Sequence, residues 1–249
     1  MKDRIVFHSY LPALALFLML LSGCTQPSEV AVSGKFIDSR DNREYKWVTI
    51  GTQTWMAENL AYLPSVNPPG EGSDSVSCYY VYRFFDTDVE KAKSTSLYKA
   101  YGVFYNWPAV LNGADSSHTV PSGIQGICPD DWHLPSDEEW EILIQYLGGQ
   151  YMAGEKMKSV KGWDSYGDAS GNGSNTSGFN ALPAGSRNND GMFYTAGFDA
   201  LFWSSTGFGD YCAWNRDLGY SHNGVYRYYY NRQYGFSVRC VRDEQSTEF

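Results

Sequence analysis

The sequence has few of the residues on which catalysis and metal binding usually depend. It contains four histidines and five cysteines in 249 residues. It has no CxxC spacing that would suit zinc, and none of the GxSxG, HExxH, P-loop or Rossmann fingerprints. His133 lies between Trp132 and Leu134, as a structural histidine would, and His222 lies in a polar SHNG turn. We therefore expect that the protein is not an enzyme.

Positive charge is also scarce. Lysine and arginine total 19 against 28 aspartates and glutamates, which gives a net charge of −9. Because an acidic protein is repelled by the phosphate backbone, we expect no nucleic-acid partner. Apolar residues make up 43% of the chain and aromatic residues 16%. This composition and length suffice for one large domain or two small ones with a real core.

The sequence has no apolar run long enough to span a bilayer comfortably. Its apolar run from Leu11 to Leu21 is too short for this. It follows Lys2 and Arg4 and suits the apolar region of a signal peptide. The run ends in Leu21-Ser22-Gly23-Cys24, which resembles the lipobox of bacterial lipoproteins. The sequence thus predicts lipidation of Cys24, with the alternative of an ordinary signal peptide.

The predicted lipid anchor sets the expected location and the domain organisation. Acyl chains anchor a protein at about 0.8 kcal/mol per buried methylene, so no transmembrane helix is needed. We expect a membrane-anchored protein of the bacterial cell envelope, in its outer membrane. The predicted segments are a signal peptide at 1–23, a tether at 24–34, a domain at 35–243 and a tail at 244–249.

The four remaining cysteines are Cys78, Cys128, Cys212 and Cys240. An even number in an exported protein favours disulfides, because the setting is oxidising. We expect one or two bridges. Four cysteines allow three full pairings, and their spacing does not choose among them.

The segment from Trp132 to Gly149 predicts the best-defined helix. Ser136 is placed to cap it, and Glu139 completes a capping box three residues later. Gly148-Gly149 predicts its end. A hairpin is predicted around the turn at 38–42, a long surface loop over 64–77, and strands at 200–206 and 236–242. The expected core residues are Trp132, Leu134, Trp140, Leu143, Leu147, Trp203, Phe236 and Val238.

A glycine-rich loop runs from Gly162 to Gly185. Long loops in compact domains are usually functional or held in place by something. Four of its side chains offer the oxygen ligands that calcium prefers, which predicts a structural calcium site. The alternative is that these residue types simply build turns. The candidate ligands are Asp164, Asp168, Asn172 and Asn175.

The tract VYRYYYNRQYGF, residues 225–236, is the least ordinary part of the chain. Seven of the 20 tyrosines lie between Tyr211 and Tyr234. If 225–231 is a strand, neither of its faces is aliphatic. Buried tyrosines need hydroxyl partners, whereas tyrosine with asparagine and arginine is typical of recognition surfaces. The alternative is a sheet of half-covered tyrosines, which strand propensity alone explains.

We interpret this tract as an outward face that binds a glycan or a protein ligand without covalent chemistry. The predicted ligand-binding residues are Tyr211, Trp214, Asn215, Arg216, Asp217, Tyr220, His222, Asn223, Tyr226, Arg227, Tyr228, Tyr230, Asn231 and Arg232. The main rival is a structural or assembly protein of the envelope, for which the same face would be a fixed protein interface.

Several strings of the chain together resemble the Fibrobacter succinogenes major paralogous domain family, over residues 33–243. They are TIGTQTWMAENLAY, GVFYNWPA, GICPDDWHLPSDEEW, GFNALPAG, FWSST and GFSVRCVRD. The resemblance implies a C-type-lectin-like fold, in the branch that contains the formylglycine-generating enzyme. It therefore implies an α+β domain with a twisted antiparallel sheet, few helices and long irregular loops.

The resemblance also has implications for disulfide pairing and for sequence diversification of one segment. The cysteine that family members often carry before the YGxxYxW string is missing here, which leaves Cys78 without a local partner. The pairings then suggested are Cys128 with Cys240 and Cys78 with Cys212. A formylglycine-generating-like enzyme, a remote alternative, would need Cys212 and Cys240 as its redox pair. Residues 211–236 resemble segments that retroelements diversify in some surface proteins with this fold.

Overall fold

The computed structural model describes residues 32–242. The predicted signal peptide, Cys24 and the predicted tail at 244–249 lie outside the described residues. Within the described range, no helix is long and apolar enough to cross a membrane. The same range forms several small β-sheets and five helices, which is compatible with the predicted α+β class.

The strands are numbered in chain order. They are β1 Ser33–Asp38, β2 Arg43–Ile50, β3 Gln53–Met56, β4 Tyr79–Tyr80, β5 Phe104–Tyr105, β6 Trp132–His133, β7 Ser165–Tyr166, β8 Ala169–Ser170, β9 Ser186–Arg187, β10 Phe193–Tyr194, β11 Asp199–Phe208, β12 Cys212–Gly219, β13 Val225–Asn231 and β14 Val241–Arg242. The helices are α1 Val89–Ser94, α2 Ser96–Tyr101, α3 Trp107–Leu111, α4 Asp137–Tyr146 and α5 Ala153–Met157.

A five-stranded antiparallel sheet has the order β1-β2-β3-β14-β6. The predicted hairpin is confirmed as β1 and β2, which pair from Ser33 opposite Val48 to Asp38 opposite Arg43. A three-stranded antiparallel sheet has the order β11-β12-β13. The pairs β4-β5, β7-β8 and β9-β10 form small two-stranded sheets.

Helix α4 forms where the capping signals predict it. The Ser136 hydroxyl accepts a hydrogen bond from the Glu139 amide, and the Glu139 carboxylate accepts one from the Ser136 amide. These bonds satisfy two amides that the first turn of a helix leaves without partners. Trp140, Leu143 and Ile144 lie on its buried face. The predicted helix is therefore confirmed together with its cap.

The three-stranded sheet lies between two clusters of buried apolar side chains. Leu201 and Trp203 on β11 belong to one cluster, whereas Phe202 on β11 and Leu218 on β12 belong to the other. Alternate residues of a strand face opposite sides, so β11 and β12 carry buried side chains on both faces. All eight predicted core residues are buried, and the predicted core is confirmed.

The last segment is less regular than predicted. Only Val241–Arg242 belongs to a ladder, while Phe236 and Ser237 form isolated bridges. Arg239 is fully buried, and its guanidinium donates to the Met56 carbonyl at 2.9 Å and to the Phe179 carbonyl at 2.6 Å. The predicted core strand over 236–242 is therefore confirmed only at Val241–Arg242, because the rest of the segment supplies buried partners to several elements.

The disulfide prediction is confirmed for one pair and wrong for the other. Cys128 and Cys240 form a disulfide that closes a separation of 112 residues. Cys78 and Cys212 are free thiols, so the bridge suggested between them is not formed. Because Cys240 is bonded to Cys128, the pair that the formylglycine-generating alternative requires is not available either.

Candidate functional site

The tyrosine tract forms β13, the edge strand of the three-stranded sheet. Val225 is buried at its start, whereas Tyr228 is 47% exposed and Tyr229 is 51% exposed. Tyr211, just before β12, is 65% exposed. The tract therefore presents aromatic side chains to solvent. We call Tyr211, Tyr226, Arg227, Tyr228 and Tyr229 the tyrosine edge.

Arg227 is held in one position by two neighbours. Its Nε donates to Asp137 Oδ2 at 2.6 Å, and its guanidinium lies 3.3 Å from the centre of the Trp214 ring. A charged hydrogen bond and a cation–π contact together restrict a side chain that is otherwise flexible. The tyrosine edge thus includes an arginine whose orientation is fixed before any ligand binds.

Arg216 lies opposite Arg227 in the sheet but is buried. Its guanidinium donates to Asp137 Oδ1 at 2.7 Å and to Glu141 Oε2 at 3.2 Å. A buried cation needs such partners, because burial removes its hydration. The predicted contact of Arg216 with a ligand stays a prediction, and its donors tie β12 to the start of α4.

Tyr229 is not among the ligand-binding residues predicted from the sequence, but it is part of the exposed surface. Its ring stacks on Phe208 at 4.2 Å and meets the Trp214 ring edge-on at 5.5 Å. Aromatic contacts of this kind hold a ring without burying it. The repeated tyrosines signalled this residue, but the sequence did not show which tyrosine would face solvent.

The opposite face of β13 carries Tyr226, Tyr228 and Tyr230. Asp217, Asn215 and Ala213 of β12 lie directly across from them. Whether Asn215 contacts a ligand stays a prediction, but its side chain has no exposed surface. The reason is that β12 is the central strand, which has neighbours on both sides and covered faces.

Asn215 and Asp217 carry polar atoms without partners. Within residues 32–242, no hydrogen-bond partner reaches Asn215 Nδ2, Asn215 Oδ1 or Asp217 Oδ1, although all three atoms are buried. Burial, and then the nearby Asp199 carboxylate, raise the pKa of Asp217 to about 7. Burial, and then Asp217, raise the pKa of Tyr230 to about 12. This face is therefore acidic and incompletely hydrogen-bonded.

The other predicted contact residues surround these two faces. Tyr220 packs against Phe198 at 4.8 Å, and His222 meets the Tyr226 ring at 4.6 Å. Burial lowers the pKa of His222. Asn223 is exposed. Asn231 caps the following turn by accepting from the Gln233 amide, and Arg232 lies over the Trp107 ring.

The predicted calcium ligands lie in the loop that the glycines predict. The Asn172 side chain accepts from the Trp163 amide, and the Asn175 side chain accepts from the Asn180 amide. Asp164 and Asp168 are exposed. No group of three or more His, Cys, Asp or Glu that suits a metal occurs among the residues described. Calcium binding by this loop stays a prediction.

A separate cavity of about 700 Å³ lies beside β6 and β14. Its lining includes Trp132, Glu139 and Arg242. The Glu139 carboxylate is already engaged, because Oε1 pairs with His133 Nε2 at 2.7 Å and Oε2 accepts two backbone amides. This carboxylate therefore stabilises the loop before α4.

The model of the Fibrobacter succinogenes major domain matches residues 48–242 of the chain. The match begins within β2 and covers the three-stranded sheet, α4 and the tyrosine tract. No curated protein and no solved structure shows significant similarity to the chain.

Proposed function

Since the chain belongs to the Fibrobacter succinogenes major domain family, we propose that it is a lipid-anchored binding protein of the bacterial cell envelope. The tyrosine edge binds a glycan or protein ligand without covalent chemistry. The proposal includes a C-type-lectin-like fold, for which the small antiparallel sheets, the few helices and the family resemblance are the support. A solved structure with a different topology would remove the fold from the proposal.

The exposed aromatic rings on a rigid edge strand carry this proposal. Tyr228 and Tyr229 project from β13, whose other side is paired with β12 along its whole length. Tyrosine gives large contact area at low entropic cost, and aromatic residues and arginine are enriched where binding energy concentrates. The tyrosine edge is thus organised before a ligand arrives, which reduces the entropy lost on binding.

A binding screen tests the function. The chain without its first 23 residues is applied to glycan and protein arrays, beside a triple variant Tyr211→Ala, Tyr228→Ala, Tyr229→Ala. We expect a ligand that the variant no longer binds. Tyr146→Ala is the matched control, because Tyr146 is an exposed tyrosine on α4. Equal binding by the triple variant would place the ligand elsewhere on the protein.

An assembly role is the second candidate, and one observation favours it. Strand β13 has a partner on one side only, among the strands described, and edge strands can pair with another chain. Sedimentation of the purified chain separates the two roles. A binding protein remains a monomer that takes up ligand, whereas an assembly subunit self-associates or co-purifies with one envelope partner.

The resemblance to retroelement-diversified segments belongs to the same proposal. Diversification would change the residues of the tyrosine edge while leaving β11 and the segment around Cys240 intact. A reverse transcriptase gene with a matching template repeat near the coding gene would support it. A genome without one would remove diversification and leave the binding role unchanged.

A further inference from the structure

We propose that β13 receives an extended segment of another protein as an added strand, which the main chain of Arg227 and Tyr229 recognises. This inference rests on the proposed binding function and narrows its ligand class to a polypeptide. It starts from the outer edge of the three-stranded sheet, where the backbone groups of these two exposed residues have no hydrogen-bond partner outside the ladder among residues 32–242.

The register of the sheet decides which backbone groups of β13 point outward. In an antiparallel pair, hydrogen-bonded residues alternate with residues whose backbone groups point away from the partner strand. The Arg232 amide donates to the Tyr211 carbonyl at 2.9 Å, one step beyond the last pair of β12 and β13. Counting back in steps of two, the even-numbered residues of β13 bond to β12. The amides and carbonyls of Arg227 and Tyr229 therefore point away from the sheet.

Bonds at the two ends of β13 support this assignment and limit the open part of the edge. The Val225 amide, which also belongs to an odd-numbered residue, donates to the Gln150 carbonyl outside the sheet at 2.8 Å. At the other end, the Asn231 carbonyl accepts from the Tyr234 amide at 3.0 Å. The protein thus closes both ends of the outer edge itself. The part that remains open is Arg227–Tyr229, which we call the open window.

The other long edges of the two larger sheets differ from this one. The outer edge of β11 is covered, because Gly185 and Ser237 form bridges to it. The edge strand β1 carries Lys35, and lysine on an edge discourages pairing with another chain. Strand β13 has seven residues without lysine, proline or a bulge. An unprotected edge of this length favours a partner strand.

Side chains beside the open window specify the partner segment. Arg227 is exposed, and its Nη1 and Nη2 donate no hydrogen bond within residues 32–242, since Asp137 accepts only from Nε. Tyr229 lies two residues further on the same face and is 51% exposed beside Phe208 and Trp214. These neighbours suit a segment with a carboxylate or amide side chain opposite the arginine and an apolar side chain opposite the aromatic rings.

The spacing of the outward groups favours a polypeptide over a glycan. Such groups recur about every 6.8 Å along a strand, which is twice the rise per residue. A partner strand carries donors and acceptors at the same interval, so it pairs with both amides and both carbonyls of the open window. The hydroxyl groups of one sugar ring lie closer together than this interval. The edge therefore suits main-chain recognition.

Proline substitutions separate the outward edge from the ladder. The amide of Tyr229 points outward, so Tyr229→Pro removes this donor and leaves the bonds to β12 in place. Tyr229→Ala is the matched control, because it loses the same ring and keeps the amide. Tyr228→Pro removes an amide that bonds to β12, so it should melt at a lower temperature than Tyr228→Ala.

The experiment selects binders of the folded chain from a library of random peptides of about ten residues, the upper end of usual strand length. A glycan array is screened beside it. We expect a selected peptide to bind Tyr229→Pro roughly tenfold more weakly than Tyr229→Ala, while these two variants melt at the same temperature.

A second measurement needs no variant of the protein. Each residue of the selected peptide is N-methylated in turn, which removes one main-chain donor at a time. We expect the affinity of the unmodified chain to fall only for alternate residues of the peptide, because only every second amide of an added strand faces β13. This scan decides the question even if Tyr229→Pro does not fold.

Four results would overturn strand addition. They are equal peptide binding by Tyr229→Pro and Tyr229→Ala, N-methylation losses without alternation, binding of glycans only, and self-association of the chain that Tyr229→Pro abolishes. Peptide or glycan binding that Tyr228→Ala loses would still leave the proposed function standing in the first three cases. A chain that binds neither peptides nor glycans would contradict both proposals.

Discussion

At the scale of single residues, Asp137 connects the fold with the tyrosine edge. One oxygen of its carboxylate accepts from Arg216, and the other accepts from Arg227. Arg216 is buried, whereas the Arg227 side chain is 43% exposed. The same carboxylate therefore neutralises a cation inside the protein and orients another at the surface.

This asymmetry predicts different consequences for the two arginines. Asp137→Ala leaves Arg216 buried beside only the half-exposed Glu141, and we expect a loss of about 3–5 kcal/mol in unfolding free energy. Arg227→Met keeps the aliphatic stem over Trp214 and should cost less than about 1 kcal/mol. Denaturant unfolding measures both values. Similar losses for the two variants would show that the exposed pair matters as much as the buried one.

Asp217 predicts a pH dependence of stability. Its pKa is about 7 in the folded chain and about 3.9 when unfolded. The folded state holds the proton more tightly than the unfolded chain does. The stability contributed by this bound proton is therefore complete below pH about 4 and is lost as pH rises to about 7. Asp217→Asn removes the titrating group, and we expect it to stabilise the protein above that pH by roughly 1–3 kcal/mol.

Melting curves across this pH range check the prediction, with Asp115→Asn as the control that should follow the unmodified chain. If Asp217→Asn and the unmodified chain lose stability in parallel as pH rises, the Asp217 carboxyl is not the group responsible. A loss of stability in Asp217→Asn at all pH values would indicate a structural carboxylate with an essential partner.

At the scale of elements, local signals predicted the structure well and long-range pairing escaped prediction. The cap at Ser136 and the turn at 38–42 are local, and both are confirmed. The strand at Val225–Asn231 also follows from its composition. The burial of Asn215 and Arg239 does not follow from composition. For Asn215 it depends on the central position of β12 in its sheet, and for Arg239 on carbonyl groups that distant segments supply.

The disulfide joins two distant elements, and its removal should be costly. Cys128 precedes β6, and Cys240 precedes β14, which pairs with β6. A bridge closing about 100 residues contributes up to about 5 kcal/mol in the chain-entropy model. We expect Cys128→Ser with Cys240→Ser to lose about 2–5 kcal/mol. Cys212→Ser, at a free cysteine, should change little, and equal melting of all three proteins would contradict this account.

At the scale of the whole molecule, the proposed binding face and the predicted anchor lie in different parts of the chain. The domain within residues 32–242 carries the tyrosine edge, and the predicted anchor at Cys24 precedes it. The small, polar residues between them predict a tether. The acidic composition favours solubility of the domain rather than attraction to anionic lipid.

The anchor prediction has a direct test. Cys24→Ala removes the site of lipidation, so the protein should shift from the membrane fraction to the soluble fraction of cells. Cys212→Ala keeps Cys24 and should remain with the membrane. Recovery of Cys24→Ala in the membrane fraction would show that something other than a lipid on Cys24 retains the protein.

Thermal melting of single alanine variants, with ligand binding measured on the same samples, tests the central claim that different residues carry fold and recognition. We predict that Tyr228→Ala and Tyr229→Ala lose ligand binding, while their unfolding free energies stay within about 0.5 kcal/mol of that of the unmodified chain. Trp203→Ala, at a fully buried position, should cost about 3–5 kcal/mol. If the two tyrosine variants unfold as readily as Trp203→Ala, the tract belongs to the core and the account is contradicted.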